Sequence, residues 1–149
     1  MKKIVLIACA SKKANRAAPA EDFYISPLFR ANLAYAHSLR PDAIFILSAK
    51  YGLVELDRRL VPYNLTLKTM SDQQVRVWAE RVLKHLRAKA DIDNLEVVVL
   101  AGEKYRRHLV SSLRYSIVPL KNLGIGKQLH WLKVNLNNES VREPAQVGK

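Results

Sequence analysis

One cysteine, Cys9, stands in a chain of 149 residues, so no intramolecular disulfide framework staples this fold. No apolar run approaches the roughly 20 residues that a membrane-spanning helix needs. The opening MKKIVLIACASKK holds only a short apolar stretch between lysines, unlike a secretory signal. These absences point to a reduced, cytoplasmic, soluble protein with no membrane partner. Glycine is scarce at 5 residues, and none of them sits in a GxxxxGK[ST] or GxGxxG loop. His37, His85, His108 and His130 form no HxxxH pair, which argues against a metal site, and nothing calls for a cofactor. Acidic residues are also few, 13 against 25 lysines and arginines, for a formal net charge of +12. A field of that sign draws polyanions, and nucleic acid is the commonest of them in a cytoplasm.

What is present reads as an α/β chain. KIVLIAC (Lys3 to Cys9), AIFILS (Ala43 to Ser48) and LEVVVLAG (Leu95 to Gly102) are continuous apolar runs rather than alternating ones. That pattern suits central parallel strands covered on both faces. Ser26 followed by Pro27 opens one helix, and Ser71 with Gln74 three residues on forms a capping box for a second. A third helix is predicted over Glu103 to Leu113 and a fourth from Ile125 to about Val134. IVPL (Ile117 to Leu120) supplies a short fourth strand, and Lys50 to Met70 reads as a long irregular connection. The expected architecture is a three-layer Rossmann-like sandwich: a mostly parallel central sheet of about four strands with helices on both faces. Residues 1–136 form one domain, and the polar tail over 137–149 has little to bury and is expected to be disordered.

In open α/β sheets, ligands sit outside the carboxyl ends of the strands. The residues there are Cys9, Ser11, Lys12 and Lys13 after the first run, Ser48, Lys50, Tyr51 and Gly52 after the second, and Gly102, Glu103, Lys104 and Tyr105 after the third. Singly each has a plainer reading. Cys9 suits a small buried apolar group, the serines suit turn caps, the lysines suit solvated loops, and Gly52 suits a positive φ after Tyr51. Together, at three strand ends, they read as a site. GIGKQ (Gly124 to Gln128) matches no phosphate loop, yet opens a helix whose first amides can receive an anion beside Lys127.

The string CASKK, DFYISPLFR, ILSAKYGLV, VPYNLTL, VVLAGEKY and IGKQLHWL resembles a bacterial and viral domain family of unknown function, from about Ile4 to Leu132. More distantly, the order Cys-Ser-Lys, YISPLF, GLV, PYN and Trp78 is similar to a domain of archaeal tRNA-guanine transglycosylases and archaeosine synthases. Glu55 stands where that pattern has proline, and Asn64 where it has aspartate. The resemblance adds Tyr24, Ser26, Tyr63 and Gly126 to the candidate positions; Trp78 falls on an apolar helical stripe and reads as core.

The expectation is a nucleotide-, nucleobase- or nucleic-acid-handling domain that takes a phosphate-bearing ligand at the strand ends, with N-glycosidic bond chemistry as the reaction class. Ser48, Lys50 and Glu103 are the candidate catalytic residues, with Asp22 a second acid or base. Cys9, Ser11, Lys12, Lys13, Tyr24, Ser26, Tyr51, Gly52, Tyr63, Gly102, Tyr105, Gly126 and Lys127 are the candidate ligand-binding residues. The alternative is a non-catalytic basic module that binds nucleic acid during its modification or in a stress response.

Overall fold

The first apolar run forms β1 (Lys2–Ala8), and the chain then passes through β2 (Ala18–Pro19) and the single turn α1 (Ala20–Phe23). The computed structural model describes residues 1–10 and 12–147, with side chains through 136. Ser11 therefore lies outside the described residues, as do the side chains of the expected tail. The helix α2 (Pro27–Ser38) starts where its sequence dictates: Ser26 Oγ accepts the Phe29 amide at 3.1 Å, and Pro27 occupies the first turn.

The second apolar run forms β3 (Ala43–Ser48). Gly52 then takes φ +73°, and the chain doubles back as β4 (Gly52–Glu55), antiparallel to β3 from Ser48↔Gly52 to Phe45↔Glu55. The stretch expected to be irregular thus contributes an edge strand, because one left-handed glycine reverses the chain immediately after β3. It also holds β5 (Arg59–Leu60), which pairs antiparallel with β2 in a separate two-stranded ribbon.

The helix α3 (Asp72–Lys89) carries the expected capping box: Ser71 Oγ accepts the Gln74 amide at 3.2 Å, and Gln74 Oε1 accepts the Ser71 amide at 2.8 Å. Then follow β6 (Leu95–Leu100), α4 (Glu103–Val110), β7 (Tyr115–Ile117) and α5 (Ile125–Val147). The short strand falls two residues earlier than the expected Ile117–Leu120. Pro119 has no amide to give a ladder, whereas residues 115–117 pair parallel with β6.

The central sheet has five strands, one more than expected, in the order β4-β3-β1-β6-β7. Four run parallel and β4 alone is antiparallel, so the fold is mixed α/β around a mostly parallel sheet. Alternate strand residues feed two cores. Ile4, Leu6, Leu47, Val97 and Val99 pack with Val75, Trp78, Val82 and Leu86 of α3 and Leu109 of α4. Val5, Ile7, Ile46, Val98 and Leu100 pack with Phe23, Phe29, Tyr35 and Leu132 from α1, α2 and α5. Burial on both sides is why the central strands read as unbroken apolar runs. No helix among the described residues is long and apolar enough to cross a membrane.

Candidate functional site

Because β1, β3 and β6 are parallel, the residues following them share one sheet edge. The chain reaches β3 on one side of β1 and, after α3, β6 on the other. The gap between the carboxyl ends of β1 and β6 is where the winding reverses, the usual crevice of open α/β sheets.

Two neighbouring features occupy this edge. The first is a hydroxyl and thiol cluster. Tyr24 Oη lies 2.6 Å from Tyr63 Oη, which lies 3.0 Å from Ser48 Oγ. Cys9 Sγ lies 3.2 Å from Tyr105 Oη. Ser48, fully buried at the end of β3, also accepts the Tyr51 amide at 3.1 Å, while its carbonyl accepts Trp78 Nε1 at 2.8 Å. It is the hub tying strand, turn, loop and α3 together. Burial, and after it the electrostatic influence of Cys9, pushes the Tyr63 phenol up to about 12. Burial and then the Tyr63 hydrogen bond push Tyr24 well above the ordinary phenol range; burial and then Cys9 do the same to Tyr105. All three phenols therefore keep their protons at neutral pH and can donate.

Cations cover this cluster. Lys13 Nζ sits 4.7 Å from the centre of the Tyr63 ring, and Lys50 Nζ sits 5.8 Å from it and 5.4 Å from that of Tyr51. Arg58 stacks on Tyr51 at 4.7 Å. Lys13 is held there by pairing of its segment with Tyr24: the Ala14 amide donates to Phe23 O at 2.8 Å and the Ile25 amide to Lys12 O at 3.0 Å. Gly52 lies beneath the turn, where an added Cβ would come 3.3 Å from Arg81 Nε; Arg81 itself donates to Lys50 O at 3.1 Å.

The second feature is a cleft of about 770 Å³. It is lined by Ala8 to Ala10 at the end of β1, by Leu100 to Gly102 at the end of β6, and by Tyr105. Cys9 and Tyr105 thus belong to both features. Three helix N-termini border the cleft, through Ser26 to Phe29 of α2, Gly102 to Lys104 of α4, and Leu123 and Ile125 of α5. Ser26 caps α2. The helices α4 and α5 are each preceded by a glycine, Gly102 and Gly124, which can offer no capping oxygen, and at both a Cβ would meet nothing within 4 Å. The first amides of a helix have no intrahelical acceptor, and they carry the positive end of the dipole.

A model of one family matches residues 4–134, which contain the whole cluster and the whole cleft. The chain belongs to DUF6884, a family of unknown function. No curated protein and no solved structure matches it.

Within this DUF6884 fold the sequence candidates divide. Cys9, Lys13, Tyr24, Ser48, Lys50, Tyr51, Gly52 and Tyr63 form or border the hydroxyl cluster, and Ser26, Gly102, Glu103 and Tyr105 line the cleft. Gly126 and Lys127 lie in the first turn of α5, beside the lining residue Ile125, and Lys12 and Lys127 are exposed. Glu103 lines the cleft, and Ser48 and Lys50 are not among its lining residues. Its carboxylate is gripped by Arg107 Nε at 2.8 Å and by a second guanidinium nitrogen at 2.7 Å, which lowers its pKa and keeps it ionised. Arg107 and His108 also reach Asp72 at 3.0 and 2.8 Å, a network that ties α4 to the start of α3. Asp22 is exposed, 3.9 Å from Arg30. Among the described residues no group of three or more His, Cys, Asp and Glu could hold a metal ion.

Sequence reading missed Asn32, Thr66, Lys68, Asn122 and Gln128, all of which line the cleft. For Asn32 a signal existed. It takes a place on the buried stripe of α2 with Phe29, Tyr35 and Ala36, where an apolar residue is the default. Its Oδ1 is buried with no hydrogen-bond partner among the described residues, a condition that costs about 1–3 kcal/mol.

Proposed function

We propose that this chain binds a phosphate-bearing ligand of the nucleotide class in the cleft between the ends of β1 and β6. The observation that carries the reading is the meeting of two glycine-preceded helix N-termini, α4 and α5, on one cleft at the reversal of the sheet's winding. Phosphate sits against their free amides, and the apolar remainder of the cleft takes the base and sugar. The finer architecture that goes with this reading is the three-layer Rossmann-like sandwich, supported by the two cores on either side of the sheet. In it Lys13 and Lys50 add positive field from the neighbouring cluster, Ser48 holds Tyr63, and Cys9 and Tyr105 join the cluster to the bound ligand. N-glycosidic chemistry is the reaction class that suits it. Glu103 is the acidic residue that lines the cleft, and turned away from Arg107 its carboxylate would face a sugar's developing cation. The likeness of the motif order to archaeal transglycosylase domains points the same way.

The test uses Gly102→Asp. Gly102 has φ −64° and ψ 164°, a backbone any residue adopts, and open space where a side chain would go. Aspartate there is a good cap, so α4 is expected to hold or gain stability, while its carboxylate occupies the amides and repels phosphate. Nucleoside monophosphates, nucleosides, inorganic phosphate and short DNA and RNA are titrated by thermal shift. A monophosphate shift in the wild type that disappears in Gly102→Asp supports the reading. Polymer binding alone, steeply salt-dependent and indifferent to Gly102→Asp, would leave the basic module that the net charge of +12 favours.

A further inference from the structure

The helix α2 turns Phe29, Asn32, Tyr35 and Ala36 into the protein, and only Asn32 among them has a side chain of amide character. Asn32 is 5% exposed, it lines the cleft, and its Oδ1 has no partner among the described residues. Buried polar groups are almost always matched, so one that is not asks what completes it. Leucine at this position would continue the apolar stripe and remove the unmet acceptor. The cost is justified if a ligand in the cleft supplies the donor.

The surroundings restrict that ligand. Leu28, Phe29, Leu100, Leu120, Leu123 and Leu129 line the cleft with Asn32. Of the polar residues that line the cleft only Asn32 is buried, and a buried amide beside apolar side chains matches a flat heteroaromatic ring with a polar edge. The amide offers an acceptor and donors in one plane, and its terminal torsion is soft enough to turn toward a partner. It pairs in two-point fashion with an edge that places an N–H donor next to a ring-nitrogen acceptor. Adenine carries that edge in its exocyclic amine and N7.

We infer that Asn32 reads the base of the ligand, and that the cleft takes an adenine-type nucleotide. This rests on the nucleotide reading above and names the ligand class of the same site. The phosphate is held at the α4 and α5 N-termini, and the amine of the base donates to Asn32 Oδ1.

Calorimetric titrations of the full chain with AMP, purine riboside 5′-monophosphate, GMP and inorganic phosphate test it. The purine riboside differs from AMP by the lack of the amine alone. The wild type is expected to bind AMP about tenfold or more tighter than the purine riboside nucleotide. Asn32→Leu is expected to bind the two equally, while its ligand-free melting temperature stays level or rises because the unmet acceptor is gone. A purely structural Asn32 would give the opposite pair: a lower melting temperature and unchanged discrimination. Equal affinity of the wild type for the two nucleotides, or a preference for GMP, overturns the inference and leaves the nucleotide reading standing. The wild-type comparison needs no variant to fold. Failure of every nucleotide to bind overturns both.

Discussion

Tyr63 is the residue on which the hydroxyl cluster turns. It touches Tyr24 and Ser48 through its oxygen, Phe23 and Tyr51 through its ring, and Lys13 through its face. Its phenol titrates near 12 when folded and near the ordinary 10 when unfolded. Between those values the unfolded chain has lost a proton that the native one keeps. The stability contributed by the protonated phenol is therefore complete below about pH 10 and is lost as pH rises toward about 12. Urea unfolding of Tyr63→Phe between pH 8 and 11.5 should show a shallower alkaline decline than the wild type. A parallel decline would contradict the burial ascribed to this ring. Gly52 holds the reversal between β3 and β4. Its φ of +73° and the nearby Arg81 guanidinium both oppose a side chain, so Gly52→Ala should cost about 1 kcal/mol or more in chemical denaturation. The sequence made both residues visible, Gly52 as a turn glycine after a strand and Tyr63 only through a family pattern. Contact with Tyr24, 39 residues away, had no local signal.

The elements show where local chemistry decides and where it does not. The start of α3 is written in its own residues, and Ser71→Ala should cost about 1 kcal/mol by removing one half of a reciprocal cap. Thermal or urea unfolding measures it. Asp72, one residue on, answers to another element. His108 first, and then Arg107, hold its carboxylate ionised and lower its pKa. A carboxylate with a lowered folded pKa adds stability above its unfolded value, about 3.9, and loses it as pH falls through the folded one. Asp72→Asn should thus lower the melting temperature at pH 6, with the gap to wild type closing below about pH 4. A gap that persists in acid would mean that the link between α3 and α4 is not ionic. The element that sequence reading described least well was β4. Its four residues look like loop because the strand exists only as a partner of β3 across the Gly52 reversal.

At the scale of the whole molecule, the charge of +12 is a statement about association rather than fold. If the cleft is the binding site, the salt dependence of monophosphate affinity should be shallow, set by a few groups. Polymer binding through the dispersed basic surface should instead fall steeply, with a log–log slope of about −0.7 to −0.9 per phosphate neutralised. Measuring both slopes on the same preparation separates the two modes.

The three central strands, the two capped helices and the mostly parallel α/β class were legible in the chain's own residues. Each depends on what neighbouring residues are: continuous apolar runs, a serine before a helix, a glycine after a strand. The parallel class also brought Cys9, Ser48 and Gly102 to one edge, since parallel strands have no other way to end. The strand order, the partition of the candidates into a hydroxyl cluster and a cleft, and the unmet acceptor on Asn32 came only with the assembled fold. Those depend on which distant segments meet, and on whether a buried polar atom finds a partner in a segment far along the chain. No local pattern encodes such a meeting, because its free energy comes from packing that the whole chain must complete.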